Sequence, residues 1–408
     1  MIIRSGSQWA IRTVLNLFVS CHAIVLRGII RMRGKRIVRK YGVGRTIMLT
    51  GTFFSENWIM NHLRPLAASQ ACSRIWIVTT FPIPVTQGIT PLYPPGWCVA
   101  LFGSTPARLS LFVFAALKHR PDFVGGFHLL INGLVSLLLA KATGAQSIYF
   151  CGGGPREVLG GGYLGNRVFG LLKQGDAKLE RKLVSAVGLF DLVITMGPKT
   201  VEFFRAQGLR NRFEVIPGGI DGARAKSNNH NRIYDVIFVG RLAQVKRVDI
   251  LLQTVNELRK WLPNVSAAII GSGEAEPELR VYASKLGLDE HVMFAGYQQD
   301  VIPWLHQSRV FVLTSESEGL SLALMEAMMC GLPCVVSDVG ELRELVDDGF
   351  NGYVVAELSA KAFAQKLVPI LSNEKTWLKY SEAARQSASR FDICEVSHRW
   401  DEILQTAC

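Results

Sequence analysis

Acidic residues are absent from the start of the chain, where the first one is Glu56. Ten of the formal net +12 charges lie in residues 1–45, which leaves the rest of the chain with a net charge of +2. A body so close to neutrality gives no reason to expect a nucleic acid partner, and none is predicted. The basic, apolar leader instead favours an anionic membrane surface as a partner.

A long apolar run free of charge is also lacking, because Arg12, His22 and Arg27 interrupt residues 9–30. Such side chains are costly at the centre of a bilayer, so we predict an amphipathic helix in the membrane interface and no transmembrane span. A signal peptide is disfavoured, since its apolar core would be shorter and free of arginine. The alternative is a leader without folded structure or with a wrongly assigned start. Residues 1–45 thus predict a cytoplasmic protein held peripherally on the inner face of the membrane.

Paired C-x-x-C spacing is missing among the eight cysteines, which favours a reduced cytosolic setting. Only Cys330 and Cys334 are close, and the turn between them has no partnering histidine or cysteine nearby, unlike a zinc knuckle. We predict that both are buried packing residues and that the chain has no metal site.

The length and the 49% hydrophobic content provide for two cores. From Arg45 onward, short apolar strands alternate with helical patterns, which is typical of parallel sheets covered by helices. Turn-forming residues 217–232 predict a linker, after which the pattern restarts. We therefore predict an α/β protein with two Rossmann-like, doubly wound domains, residues 46–216 and 233–385, followed by a C-terminal segment, residues 386–408.

Ligands of such sheets bind beyond the carboxyl ends of the strands. The strand predicted at 233–239 runs into Gly240 and Arg241, and Lys246 follows at the start of the next helix. A planar guanidinium and a compact ammonium together suit a diphosphate. The alternative is a pair of surface cations, although a helix start disfavours positive charge.

The next predicted strand ends at Gly271 and Gly273, which would let the backbone approach a ligand closely. The third glycine of the dinucleotide fingerprint is missing, because Pro277 takes its place. An NAD-binding domain is therefore poorly supported.

Two carboxylates, Glu318 and Glu326, follow the strand predicted at 310–313. A helix beginning near Leu320 or Ser321 would offer free amides to a phosphate, and Gly319 would permit close contact. Glu326 could accept hydrogen bonds from a ribose diol. The alternatives are a glutamate that stabilises the helix dipole and a solvated helix position.

Residues 215–355 resemble the family 4 retaining glycosyltransferases. The resemblance rests on Gly240-Arg241-Leu242 with Lys246, the E-x7-E spacing of Glu318 and Glu326, and Gly331-Leu332-Pro333. It implies the GT-B fold, with two domains facing across a cleft. It also implies that Arg241 and Lys246 bind the donor diphosphate, that Glu318 touches the transferred sugar, and that Glu326 holds the ribose.

The implied mechanism retains the anomeric configuration, since the leaving phosphate oxygen accepts the proton of the attacking hydroxyl. Asp-x-Asp is absent from the sequence, and a cationic pair would replace a catalytic metal, so we expect metal independence and no cofactor. The resemblance also implies that the C-terminal helices pack back toward the N-terminal domain.

The N-terminal half resembles the family less closely. Cys151 occupies the place of a histidine that relatives carry at the end of a central strand. His128, after an earlier strand-like stretch, is the candidate to replace it, or else an ordinary buried or capping histidine. The loop with Gly152, Gly153 and Glu157 is expected to contact the acceptor, with Glu157 either holding hydroxyls or facing solvent. On the acceptor side we also place Gly51 and Thr52.

We therefore predict a hexose-transferring enzyme that uses a nucleotide-sugar donor and a glycan acceptor on a lipid carrier, in cell-surface or exopolysaccharide synthesis. The alternatives are a non-catalytic nucleotide-sugar-binding partner of another transferase and a nucleotide-sugar epimerase of the same fold. Contacts to the donor base are expected from backbone near Gly296 and Tyr297.

Overall fold

The computed structural model describes residues 5–33, 44–53, 55–162, 175–226 and 231–406. The chain divides into two compact units: unit 1 comprises residues 1–217 and 396–408, and unit 2 comprises residues 218–395. Each unit contains one parallel sheet covered by helices, so the prediction of two doubly wound α/β domains is confirmed.

Unit 1 holds a seven-stranded sheet in the order β3-β2-β1-β4-β5-β6-β7. Its strands are β1 (Arg45–Thr50), β2 (Cys72–Val78), β3 (Ile89–Leu92), β4 (Phe123–Phe127), β5 (Gln146–Cys151), β6 (Leu192–Thr195) and β7 (Arg212–Val215). Its helices include α1 (Ser5–Arg33), α2 (Glu56–Ala68), α3 (Gly96–Phe102), α4 (Ser104–His119), α5 (Leu134–Thr143), α6 (Ala177–Val187) and α7 (Pro198–Ala206).

The leader forms the long helix α1, which is part of unit 1. Leu15, Val19 and Leu26 recur at helical spacing and are buried in the unit 1 core, where α1 packs on α5 and α6. His22 is buried in the same stripe and donates to the Leu134 carbonyl at 2.8 Å, and burial lowers its pKa. The stretch Ile11–Met32 is long and apolar enough to cross a membrane by length and composition, a test that core helices and signal sequences also pass. Of the predicted basic segment, residues 34–43 lie outside the described residues.

Unit 2 holds a six-stranded sheet in the order β10-β9-β8-β11-β12-β13. Its strands are β8 (Tyr234–Val239), β9 (Ala267–Ile270), β10 (Val292–Gly296), β11 (Ser308–Leu313), β12 (Cys334–Ser337) and β13 (Gly352–Val355). Its helices are α8 (Gly222–Ala225), α9 (Val248–Leu258), α10 (Glu276–Lys285), α11 (Ile302–His306), α12 (Leu322–Met329), α13 (Ala360–Leu371) and α14 (Glu374–Ala388). Cys330 and Cys334 are buried in its core, as predicted.

Part of the segment predicted as a linker, residues 217–232, packs in unit 2. Ile220 and Ala225 are buried in the unit 2 core, and the Ile220 amide donates to the Phe391 carbonyl at 2.7 Å. Polar composition concealed this packing, because the segment contains few apolar residues. Residues 227–230 lie outside the described residues.

The helix α15 (Ile393–Thr406) returns the chain to unit 1. Trp400 is fully buried and lies 6.0 Å from the Phe150 ring, measured between centroids. Asp401 accepts hydrogen bonds from Ser69 Oγ at 2.6 Å and from the Ala71 amide at 2.9 Å. This helix therefore contacts β5 and the loop after α2 in unit 1.

Candidate active site

The carboxyl ends of the unit 2 strands bring distant loops together. The neighbouring strands β8 and β11 lead into the loops that begin at Gly240 and Thr314. The Thr314 hydroxyl ties these loops, because it donates to the carbonyls of Lys246 and Arg247 at 3.2 and 2.8 Å. The segments that carry the predicted diphosphate ligands and the first glutamate are therefore neighbours at one edge of the sheet.

Lys246 and Glu318 form an ion pair at this edge, with 2.6 Å between Nζ and Oε1. Their side chains are only 19% and 8% exposed. Lys246 lies in a short 3₁₀ turn before α9 rather than in the helix itself. The Lys246 ammonium has three N–H donors, and Glu318 takes one of them. Lys246 can therefore hold the Glu318 carboxylate and still bind an anion.

Ser315 is a residue that pattern reasoning missed. It is buried, and its hydroxyl donates to the same Glu318 Oε1 at 2.6 Å. Its own carbonyl accepts from Ser337 Oγ at 2.6 Å, which fixes the loop to β12. Its place directly after a buried strand was the available signal.

Arg241 stands at the same edge in a more open setting. Its side chain is 48% exposed, and Nη1 lies 3.9 Å from Glu274 Oε1. At that distance between two exposed groups the attraction is weak. An incoming anion could therefore bind Arg241 without breaking a strong ion pair.

The predicted glycines of this edge are required by the protein's own backbone. A Cβ at Gly271 would lie 1.9 Å from the Gly240 carbonyl oxygen, and one at Gly273 would lie 2.2 Å from the Leu242 oxygen. A Cβ at Gly340, a residue that the sequence patterns did not single out, would lie 1.9 Å from the backbone carbonyl oxygen of Glu318. These glycines keep the loops close together, which is a structural reason for them that involves no ligand.

The helix that follows Glu318 begins at Leu322, one or two residues later than predicted. Ser321 is its N-cap, and the hydroxyl accepts from the Leu324 amide at 3.3 Å. Glu326 is buried in the interior of this helix, which argues against a solvated position. Gly319 and Leu320 lie in the loop between Glu318 and the cap.

The loop after β10 is open. Gly296 has φ +69°, a Cβ on this residue would meet nothing within 4 Å, and Tyr297 is largely exposed. The Gly296 carbonyl accepts from the Gly271 amide at 2.8 Å, so this loop adjoins the one after β9.

In unit 1, His128 and Glu157 meet beyond the ends of β4 and β5. Glu157 is buried, and its carboxylate accepts from four donors: His128 Nδ1 at 2.9 Å, the Leu129 amide at 2.7 Å, the Tyr149 hydroxyl at 2.7 Å and the Gly153 amide at 2.6 Å. The two expected positions of Glu157, on acceptor hydroxyls or in solvent, do not fit this geometry, because both oxygens already serve protein donors.

The pair has a defined protonation pattern. Burial alone would raise the pKa of Glu157, but the charge and hydrogen bond of His128, with Tyr149 and Gly153, bring it below its usual value. Burial alone would lower the pKa of His128, and Glu157 raises it above the usual value. Because an ionised carboxylate only accepts, Nδ1 carries a proton and Nε2 is the ring nitrogen left for other partners.

His128 is strained and stacked as well as paired. It has φ +64°, in the left-handed region that few non-glycine residues adopt. Its ring stacks on Trp58 with 6.1 Å between centroids, yet 41% of the side chain is exposed. Such strain persists only where surrounding contacts over-determine the conformation, and it is common at functional sites.

The glycines Gly152 and Gly153 accommodate this pair. A Cβ at Gly152 would lie 3.1 Å from Trp58 and 3.4 Å from His128, and one at Gly153 would lie 3.0 Å from Glu157. Cys151, at the place of the family histidine, is fully buried, and its thiol donates to the Gly154 carbonyl at 3.4 Å. Burial raises its pKa well above the usual value, so the thiol stays neutral.

The loop after β1 is held from within. Gly51 is buried, and a Cβ there would meet the Phe53 ring at 2.4 Å. Thr52 accepts from Arg108 Nη2 at 3.3 Å, and the buried Arg108 also donates to Thr50 at 2.6 Å and to Asn132 at 2.8 Å. Burial lowers the pKa of Arg108 to about 10.

Most of the unit 2 sequence matches the model of a known family. Residues 220–387 match the family model for glycosyl transferases group 1. Arg241, Lys246, Glu318 and Glu326 all lie in this glycosyl transferase segment, whereas His128 and Glu157 precede it.

Curated relatives are glycosyltransferases. The chain is 25% identical to the poly(glycerol-phosphate) alpha-glucosyltransferase of Bacillus subtilis, over 59% of this chain and 36% of that protein. It is 30% identical to the GDP-mannose-dependent alpha-(1-6)-phosphatidylinositol monomannoside mannosyltransferase of Mycolicibacterium smegmatis, over 46% of this chain and 54% of that protein. The match thus spans about half or less of each relative's length.

A solved structure shares the fold of unit 1 and of the segment matched by the family model. The Anabaena protein HepE, in complex with UDP-glucose, matches with a TM-score of 0.68 and 19% identity over 89% of this chain and 100% of that one. This likeness establishes the GT-B fold for the chain.

Proposed function

We propose that the chain is a retaining, metal-independent glycosyltransferase of family 4, whose nucleotide-sugar donor binds at the carboxyl edge of the unit 2 sheet. The observation that carries the proposal is the shielded Lys246–Glu318 pair, with the exposed Arg241 at the same edge of the sheet. A cation held by a carboxylate, with a second cation at the same edge, provides for a diphosphate and an adjoining sugar.

In this proposal the donor is held along its length. Arg241 and Lys246 bind the diphosphate, and the amides at the start of α12 around Gly319, Leu320 and Ser321 add partial positive charge. Glu326 binds the ribose hydroxyls. Gly240, Gly271, Gly273 and Tyr297 would border the nucleotide. A nucleotide-sugar donor agrees with the HepE structure having been solved with UDP-glucose.

The transfer step exchanges one C–O bond for another on the same face of the sugar. The bond from the anomeric carbon to the leaving phosphate breaks, the acceptor oxygen bonds to that carbon, and the leaving phosphate oxygen takes the acceptor's proton. Charge on the departing diphosphate is stabilised by Arg241 and Lys246, and such preorganised groups contribute about 3–4 kcal/mol each in enzymes. The alpha linkages in the names of both relatives agree with retention.

Unit 1 would supply the acceptor side. We assign a catalytic contact with the transferred sugar to His128, through Nε2, since Nδ1 is occupied by Glu157. Glu157 becomes a positioning residue for His128 rather than an acceptor ligand. Gly51, Thr52, Gly152 and Gly153 shape the loops around it.

We further propose a lipid-linked glycan as acceptor, in cell-surface or exopolysaccharide synthesis, at the inner face of the cytoplasmic membrane. Support comes from the apolar, basic helix α1 and from the phosphatidylinositol-linked substrate in the name of one relative. Exposed Val14, Leu17 and Ile24 on α1 would contact the lipid.

The test is to incubate the purified chain with UDP-, GDP-, TDP- and ADP-sugars, a membrane lipid extract and EDTA, with Glu326→Ala as the inactive control. Release of nucleoside diphosphate that requires the extract, survives EDTA and is lost in the variant supports the proposal. Saturable nucleotide binding without turnover would favour the non-catalytic partner instead. Conversion of the donor without an acceptor would favour the epimerase.

A further inference from the structure

Unit 1 carries an apolar surface on α3 and α4 that the proposed chemistry does not use. Trp97 is 64% exposed, Leu101 72% and Phe102 62%, and no residue of α3 is buried. On α4, the exposed Phe114 and Leu117 lie opposite the buried stripe of that helix. We call these five residues the α3–α4 surface.

The clustering separates this surface from ordinary exposed side chains. Single exposed apolar residues are normal on any protein, and in the described part of unit 2 they are scattered from Ile233 to Leu378. The α3–α4 surface instead gathers five large apolar side chains within residues 97–117. Helices α3 and α4 contact each other, and apolar side chains gathered on an exposed surface mark a site of interaction.

The positive charge around this surface favours an anionic partner. Glu56 is the only acidic residue in residues 1–121, which carry 15 lysines and arginines, whereas residues 122–408 carry a net charge of −2. Lys118 and Arg120 are exposed at the C-terminal end of α4. The exposed Arg74 lies over the Trp76 ring, which stacks on His119 of the same helix. Cations beside exposed tryptophan, phenylalanine and leucine are the composition of interfacial helices that bind anionic lipid.

A second element presents the same character on the same side of the sheet. The connections from β3 to β4 and from β4 to β5 cross in the same direction, so α4 and α5 cover one face. Both α1 and α4 contact α5. The outward side chains of α1 include Val14, Leu17, Ile24 and Val25, accompanied by Arg27 and Arg31. Two apolar, basic elements on one face fit an extended plane better than a compact protein partner.

We propose that the α3–α4 surface docks unit 1 onto an anionic lipid bilayer, as a second contact that adds to helix α1. The proposal extends the membrane association proposed for residues 1–45 but rests on its own residues. Trp97, Leu101 and Phe114 enter the interface, and Lys118 pairs with lipid phosphates.

The test measures flotation of the full chain with vesicles of phosphatidylcholine alone and of equal parts phosphatidylcholine and phosphatidylglycerol. One variant carries Trp97→Ser, Leu101→Ser and Phe114→Ser. The matched control carries Trp261→Ser, Val281→Ser and Leu378→Ser, whose side chains are 51%, 56% and 54% exposed in unit 2. We expect the wild type and the control to partition onto the anionic vesicles. The surface variant should partition roughly tenfold or more weakly, since each lost apolar side chain removes buried area.

Equal partitioning of both variants, or no partitioning of the wild type, would overturn the proposal. A surface variant that partitions normally but shows a lower mass by light scattering would overturn it in favour of a second copy of the chain. Melting temperatures confirm that both variants fold. Donor binding is measured in detergent solution without vesicles, so failure of membrane docking is distinguished from failure of the proposed transferase.

Discussion

Lys246 and Glu318 show how much of a site one pair of side chains determines. Each neutralises the other in the absence of a ligand, so neither is left as an uncompensated charge of low exposure. In the proposed function, an arriving diphosphate would meet a lysine already oriented by Glu318. The sequence could predict both residues from their strand-end positions, but it could not predict that they bind each other.

Lys246→Ala should lower the turnover of the nucleotide-sugar donor by about 10²–10³-fold, the loss typical of one preorganised charge donor. The matched control is Lys260→Ala, which removes a lysine from an exposed surface pair with Glu257 and should leave turnover unchanged. Nucleoside diphosphate release measures both. Equal turnover of the two variants would remove Lys246 from the proposed site.

His128→Gln should lower turnover by about 10²-fold or more, because a positioned group near the reacting sugar is lost. Nucleotide binding, measured by calorimetry, should be unchanged, since the donor diphosphate is assigned to unit 2. A variant with full turnover would make His128 a structural residue.

Glu157→Gln should lower the pKa of His128, which imidazole NMR signals can report. The raised pKa of His128 means that the pair's stabilisation is present below the usual histidine pKa of about 6.5, as long as Glu157 is ionised, and is lost as pH rises through the folded-state pKa of His128. The difference in unfolding free energy between wild type and variant should therefore shrink as pH rises above the folded-state pKa of His128. The variant should also lose about 1–3 kcal/mol at every pH, because an amide cannot serve all the buried donors. A pH-independent difference would contradict the assigned pair.

At the scale of elements, the strands that sequence patterns identified best are buried runs such as β8 and β11. The strand β4 was harder to recognise because it contains Gly125 and Gly126, which are typical of a turn. The structure supplies the reason: a Cβ at Gly126 would lie 2.8 Å from the Asn132 backbone, and one at Gly125 would lie 2.8 Å from Leu49. Such approaches depend on neighbours far along the chain, so no local pattern predicts them.

The loop after β12 offers an element-scale prediction. Gly340→Ala should be strongly destabilising and should reduce turnover, because its Cβ would displace the backbone of Glu318. Gly349→Ala is the matched control, since φ is also positive but nothing lies within 4 Å. It should lose only the strain of a left-handed residue, about 1–2 kcal/mol. Chemical denaturation compares the two, and equal losses would show that the contact with Glu318 is unimportant.

At the scale of the whole molecule, composition and alternation of strands and helices were enough to predict two doubly wound units. They were not enough to assign α1 to unit 1, because the same apolar stripe fits a lipid surface and a protein core equally well. Leu15 and Val19 lie in the core cluster where α1 packs on α5 and α6. This packing depends on the tertiary structure and cannot be inferred from the local sequence.

Separate cores lead to a prediction for unfolding. The unit 2 core is distinct from the clusters of unit 1, so scanning calorimetry should resolve two transitions. A nucleotide at a hundred times its dissociation constant should stabilise unit 2 by about 2.7 kcal/mol and shift only that transition. A shift of both transitions together would show that the units unfold as one.

The return of α15 to unit 1 has a consequence for how the chain is made. Residues 218–395 must leave the ribosome before Trp400 and Asp401 can reach β5 and the loop after α2. At cellular synthesis rates that interval is on the order of 10–40 s. During this time the nascent unit 1 lacks Trp400 beside Phe150, so a chaperone that shelters this apolar contact surface would act while translation is still under way.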